Sequence, residues 1–202
     1  MIIGITGGSG CGKSTLLQVI ADLGGKVLDC DTIYHDLLKT DKTLLCAIEN
    51  RFPGTVVSGH LQRRALGQIV FADEKALKDL NKITHTAVKE EVLKQLSPAP
   101  ELAAIDAIGL FESGLNELCD ITVTVTAPLE QRVHRLMKRD NITREYALAR
   151  IQAQPTEEAF ISRCDAVLCN SETESAFREK SLVFLKNKGI MIENPQIRRN
   201  IL

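Results

Sequence analysis

The chain has 202 residues, a length that holds one α/β domain with an insertion, or at most two small domains. Hydrophobic residues make up 44% and charged residues 25%, with 25 Lys and Arg against 26 Asp and Glu, so no overall field draws the protein to nucleic acid or an anionic membrane. Six scattered cysteines (Cys11, Cys30, Cys46, Cys119, Cys164, Cys169), with no C-x-x-C pair and no clustered histidines, argue against a zinc site or disulfide framework and for free thiols in a reducing compartment.

Residues Ile2 to Thr6 are β-branched or apolar apart from Gly4 and predict a buried parallel strand. Gly7-Gly8-Ser9-Gly10-Cys11-Gly12-Lys13-Ser14-Thr15 follows and fills every fixed position of the phosphate-binding pattern G-x-x-x-x-G-K-[ST]. Leu16, Val19, Ile20 and Leu23 then recur at helical spacing, completing the strand, glycine loop and helix that the pattern requires. Glycines let backbone N–H groups close on phosphate oxygens, and the helix adds its positive N-terminal end. In that setting Lys13 reaches the β and γ phosphates of a nucleoside triphosphate, Ser14 offers its hydroxyl to magnesium, and Thr15 is free for an α-phosphate. Cys11 reads as a small tolerated residue, with redox sensitivity as the other reading.

Gly24-Gly25 stops the first helix, and Lys26 to Cys30 predicts a second strand. From Thr32 to about Leu96 helical patterns dominate, with turn signals at Phe52-Pro53-Gly54 and Ser58-Gly59, which reads as an inserted helical region rather than another βαβ unit. Ser97-Pro98-Ala99-Pro100 ends it, and Leu102 to Ile108 predicts a central strand. Ile121 to Val125 is the fourth strand, followed by a helix with Pro128 in its first turn and Leu129, Val133, Leu136 and Met137 as its buried stripe. A helix from about Thr143 to Gln154, a fifth strand at Ala166 to Cys169 and a closing helix from Glu172 to Lys188 complete the chain. The N-terminus enters the first strand at once and no apolar run approaches spanning length, so the expectation is a soluble cytoplasmic protein. Alternating strands and helices imply a parallel sheet covered on both faces, with ligands at the carboxyl ends of its strands.

At that end lie Asp29 and Asp31, two residues apart, whose side chains point to one side if the strand continues. Asp31 has two readings: a carboxylate that orients or deprotonates an acceptor hydroxyl, or a cap for the next helix. Asp106 likewise reads either as a holder of magnesium through water or as a strand-end residue bonded to nearby backbone. Between Glu130 and Arg150, six basic residues (Arg132, Arg135, Lys138, Arg139, Arg144, Arg150) face three acids. Arg139-Asp140 falls between two helices and suits a hinged lid that brings arginine to the transferring phosphoryl; the other five read as a solvated face. Asp106-x-x-Gly109 also spells a GTPase signature, but the matching guanine reader is missing, since Asn187-Lys188-Gly189-Ile190 lacks its Asp. A kinase of the same fold acting on a nucleoside, a nucleoside monophosphate or a hydroxy acid shares the loop, magnesium and lid logic.

Across nearly its whole length the sequence resembles the dephospho-coenzyme A kinases. The likeness rests on Thr6-Gly7-Gly8 with Gly10 to Thr15, Leu28-Asp29-Cys30-Asp31, Arg63-Arg64-Ala65-Leu66-Gly67 with Ile69-Val70-Phe71, and His85. It continues through Leu110-Phe111-Glu112-Ser113-Gly114, Arg139-Asp140, Arg150-Ile151 with Gln154, and Asp165-Ala166-Val167-Leu168 with Asn170. Two places depart from the family pattern: Thr86 follows His85 where Pro is usual, and Ile108-Gly109 replace a Pro-Leu pair.

The resemblance implies a P-loop NTP hydrolase fold, a three-layer αβα sandwich on a five-stranded parallel sheet with a helical insertion and a lid. It implies transfer of the ATP γ-phosphate, with magnesium, to the ribose 3′-hydroxyl of dephospho-coenzyme A. On this likeness residues 1–31 and 97–202 are expected to form the nucleotide-binding core, 32–96 the acceptor-binding insertion and 139–155 the lid. Gly10, Cys11, Gly12, Lys13, Ser14 and Thr15 bind ATP, with Ser14 on the metal. The resemblance further implies that Lys13, Asp31 and Arg139 carry the catalysis and that Arg63-Arg64 either meet the acceptor's phosphates or form an internal ion pair. The expected protein is a monomer or weak homo-oligomer without nucleic-acid or membrane partners.

Overall fold

The computed structural model describes residues 1–190. Five parallel strands form one sheet: β1 (Ile2–Thr6), β2 (Lys26–Asp29), β5 (Ala103–Asp106), β6 (Ile121–Thr126) and β7 (Ala166–Cys169), in the order β2-β5-β1-β6-β7. A short antiparallel hairpin, β3 (Val56–Val57) with β4 (His60–Leu61), stands apart from it. The helices, in chain order, are α1 (Lys13–Asp22), α2 (Cys30–Thr40), α3 (Lys42–Arg51), α4 (Arg63–Val70), α5 (Glu74–Gln95), α6 (Leu129–Asp140), α7 (Arg144–Gln152), α8 (Glu157–Ile161) and α9 (Glu174–Asn187). This is the three-layer αβα architecture with a five-stranded parallel sheet, and no described helix is long and apolar enough to cross a membrane.

The strands are buried on both faces, so their side chains divide by pleat between two cores. Ala103 and Ile105 of β5 join Leu28, Ile48, Phe52 and Val92 beneath α2 to α5, while Ala104 points the other way with Ile3, Ile5, Leu16, Val19 and Leu182 beneath α1 and α9. A third, smaller cluster of Val133, Leu136, Ala147 and Ile151 holds α6 against α7. α2 to α5 all lie in the crossover between β2 and β5, which are parallel neighbours. The 22 residues of α5 run about 33 Å at the usual helical rise, long enough to wall one side of a cleft.

The structure redraws several boundaries. Leu102 to Ile108 contracts to Ala103–Asp106, and the strand is second from the edge; β1 holds the centre, between β5 and β6. β2 ends at Asp29 because the Asp29 carboxylate accepts hydrogen bonds from Asp31 N (2.9 Å) and Thr32 N (3.2 Å), and so starts α2 at Cys30. Ser58 and Gly59, at φ 51° and 76°, make the hairpin turn inside the region read as helical. In α6 the buried face is Arg132, Val133 and Leu136, whereas Leu129 (49%) and Met137 (36%) are exposed. Pro128 precedes that helix as its N-cap instead of lying in its first turn.

Candidate active site

The glycine loop leaves β1 and enters α1 at Gly12, the N-cap, whose φ of 96° lies in the left-handed region. A Cβ there would come 2.1 Å from Asn170 Nδ2, so Gly is required by space as well as by conformation. Gly7, at φ 129°, is held as tightly: a Cβ would meet Val125 O at 2.3 Å. Lys13 Nζ donates to Gly7 O (3.0 Å), arching back across the loop, and lies 4.0 Å from Asp106 Oδ1.

The loop is braced from the side by residues read from sequence as a solvated face. Arg132, only 9% exposed, donates from Nε to Ser9 O (3.0 Å). Arg135 donates to Gly10 O (3.2 Å), Cys11 O (3.3 Å) and Asn170 Oδ1 (3.2 Å), and buried Asn170 donates from Nδ2 to Cys11 O (2.9 Å). Gln154, just after α7, grips Ser9 at both ends of its amide: Oε1 accepts from Ser9 N (2.8 Å) and Nε2 donates to Ser9 Oγ (2.7 Å). Solvation was therefore the wrong reading for Arg132 and Arg135, because α6 turns this edge toward the loop and the backbone carbonyls there need donors. The signal available in sequence was their spacing, 132 and 135, one helical face with buried Val133 and Leu136. Cys11 is buried in the same web, and burial raises its thiol pKa against the opposing pull of Arg132 and Lys13, which makes it a packing residue rather than an exposed thiolate.

Asp29 and Asp106 are register partners on β2 and β5, so both carboxylates stand at the carboxyl edge of the sheet. Asp31 joins them from the first turn of α2, so the period-two expectation for its orientation fails while its position at the mouth holds. Capping falls to Asp29, and the Asp31 carboxylate accepts no hydrogen bond from a described residue. Asp106 is pushed up to about 6, first by burial, with Asp29 and Asp31 adding to the rise and Lys13 opposing it. Its Oδ1 is buried without a hydrogen-bond partner among the described residues. A hard, positively charged ligand is what such an atom lacks.

A cavity of about 800 Å³ collects these groups, bordered by Gly10, Gly12, Lys13, Ser14, Thr15, Asp31, Asp106 and Arg139. Every residue expected at the site borders it except Cys11, which lies beneath the loop. Arg139 is bound to Asp140 through Nε (2.7 Å) and Nη2 (2.9 Å), and Arg150 Nη1 reaches the same carboxylate at 2.6 Å. The two guanidiniums hold Asp140 down to about 2, with the Arg139 hydrogen bond first among the causes. Both arginines border the cavity, so this pair stands ready at its rim.

The sequence profile of the dephospho-CoA kinase family matches residues 1–175. The chain belongs to the dephospho-CoA kinase family. Members are phosphotransferases that act on an alcohol group, with ATP as co-substrate. A dephospho-CoA kinase from Bacillus cereus is 35% identical over 197 residues, covering 95% of this chain and 98% of that protein. A crystal structure from Thermus thermophilus matches at a TM-score of 0.78 and 36% identity, covering 93% of this chain and 97% of the other. Dephospho-CoA kinase from Campylobacter jejuni matches at a TM-score of 0.66 and 26% identity, over 94% and 98% of the two chains. Membership in the kinase family sets aside the GTPase reading of Asp106-x-x-Gly109. The two residues face different places: Asp106 faces Lys13, while a Cβ at Gly109 would lie 3.8 Å from Glu112 and 3.9 Å from His85.

Proposed function

We propose that this chain transfers the γ-phosphate of ATP to the ribose 3′-hydroxyl of dephospho-coenzyme A, giving coenzyme A and ADP, the last step of coenzyme A synthesis. Beyond family membership, one observation supports the reading. Asp31 borders both the phosphate-loop cavity and a second cavity of about 230 Å³ walled by Tyr34, Thr84, His85 and Ile108. A carboxylate at that junction meets an acceptor hydroxyl where it must face the γ-phosphate, and it accepts the hydroxyl proton as the new P–O bond forms.

Loop N–H groups and Lys13 gather the β and γ phosphates, and Arg139, released from Asp140, stabilises charge on the transferring group. The Asp106 oxygen that has no hydrogen-bond partner among the described residues and the Ser14 hydroxyl, on one cavity wall with the loop, fit a magnesium ion. Bound there, the ion supplies positive charge against the phosphate oxygens. Residues 1–31 and 97–202, of which 191–202 lie outside the described residues, act as the nucleotide core, 32–96 receive the acceptor and 139–155 close as the lid. The protein works in the cytoplasm as a monomer or weak homo-oligomer, without nucleic-acid or membrane partners.

Steady-state kinetics of wild type and Asp31→Asn on ATP and dephospho-coenzyme A test this reading. The expected result is a fall in kcat of about 10²-fold or more with the KM for ATP nearly unchanged. Retained kcat with a collapsed ATP affinity would make Asp31 a binding residue and remove it from the chemistry.

A further inference from the structure

Three cavities run in series away from the phosphate loop. The first shares Asp31 and Ile108 with the second, and the second shares Asn81, His85 and Ser113 with a third of about 490 Å³. The outer one follows α5, whose Lys78, Lys82, His85 and Lys89 recur at steps of four, three and four and so line one helical face.

Lys78 pairs with Glu74 (3.0 Å), and Lys89 is taken by Glu117 (2.8 Å) and Gly114 O (2.9 Å). Lys82 and His85 make no ion pair or side-chain hydrogen bond with a described residue, although both border the outer cavity. Of the acids there, Glu112 is neutralised by Arg163, which leaves Glu90 as the opposing charge. Arg63 and Arg64 border none of the three cavities; Arg63 turns to His35 Nδ1 (3.3 Å) and, like Arg64, pairs with no described carboxylate.

We propose that the outer cavity on α5 is the subsite for the acceptor's diphosphate, with Lys82 as its principal cation and His85 as a donor at its inner edge. The inference rests on the proposed acceptor and fixes its direction. The ribose hydroxyl lies at Asp31, the base occupies the middle cavity among Tyr34, Leu80, Val88 and Leu115, and the charged linker leaves along α5 toward solvent. Diphosphate belongs in the outer cavity because the middle one is lined mainly by apolar side chains and offers no lysine or arginine among the described residues against two negative charges.

The test is dephospho-coenzyme A affinity and KM, at about 50 and about 300 mM salt, for wild type, Lys82→Glu, Lys82→Arg, Arg63→Glu and Lys186→Glu, the last on the exposed face of α9. Lys82→Glu is expected to raise the KM for dephospho-coenzyme A about tenfold or more at low salt and to flatten its salt dependence. Its KM for ATP stays at the wild-type value, Lys82→Arg recovers most of the affinity, and Arg63→Glu and Lys186→Glu change little. If Lys82→Glu matches Lys186→Glu, or Arg63→Glu carries the loss instead, the subsite is wrong while the reaction stands. A wild-type enzyme that leaves dephospho-coenzyme A untouched overturns the reaction itself and the subsite with it.

Discussion

Around the phosphate loop, Ser9 has its N–H, hydroxyl and carbonyl all taken by Gln154 and Arg132, and Cys11 O is held by Asn170 and Arg135. Across the cleft, the side chains of Asp31, Lys82 and His85 hydrogen-bond to no described residue. The loop must present N–H groups to phosphate in one arrangement, and bracing removes the cost of ordering it at the moment of binding. These three side chains stay uncommitted, so if this wall receives the acceptor, as proposed, substrate completes them and their contribution is realised only when substrate is present.

The largest expected effect comes from the braced side. Lys13→Ala should lower kcat by about 10²- to 10³-fold, because the charge developing on the β and γ phosphates loses its nearest cation. Thermal unfolding should move by only a few degrees, since among the described residues the Lys13 side chain has one hydrogen bond, to Gly7 O, and a 4.0 Å approach to Asp106. Wild-type turnover in this variant would break the comparison at its root.

Asp106→Asn is expected to act next in size and with a definite pH signature. With its carboxyl at about 6 in the folded protein, Asp106 is ionised above that pH and protonated below it. Activity at limiting magnesium should therefore fall in wild type as pH drops through about 6, and the Asn variant should be slower and flat over the same range. Stability runs the other way: a raised carboxyl pKa means the folded state gives up its proton less readily, so stability is lost as pH rises from about 4 to about 6. The Asn variant should be more stable by about 1–3 kcal/mol at pH 7, with the difference gone below about pH 4, as read by urea unfolding at both values. Equal stabilities at pH 7 would mean that the buried carboxylate carries no penalty.

Gln154→Ala sharpens the comparison with the smallest expected effect. Two hydrogen bonds to Ser9 are lost, each contributing about 1 kcal/mol, so the KM for ATP should rise by up to about thirtyfold while the KM for dephospho-coenzyme A holds. An unchanged KM for ATP would show that the loop keeps its shape without this brace.

The five strands of the main sheet and the loop were legible in the sequence because their signals are local. Ile2 to Thr6 is a β-branched run that ends in a complete phosphate motif, and Ala166 to Cys169 forms its strand over the expected residues. What sequence misplaced depends on long-range partners. Arg132 and Arg135 look like any basic helix face until the loop, more than a hundred residues earlier, presents its carbonyls to them. The helix cap that was one of the two readings of Asp31 falls to Asp29 instead and cuts the strand short, which period-two alternation has no means to foresee. The rank of β5 in the sheet was likewise invisible, since strand order is set by packing across crossovers and not by apolar content.

The most direct test of the central claim is magnesium-dependent ADP release from ATP with dephospho-coenzyme A as acceptor, run beside AMP, UMP, adenosine, shikimate and a blank without acceptor, with the product weighed by mass spectrometry. The account predicts that dephospho-coenzyme A alone gains one phosphate in step with ADP. Transfer to another acceptor in its place, or nucleotide hydrolysis with none, would contradict the proposed function and leave only the fold and the sequence relationship standing.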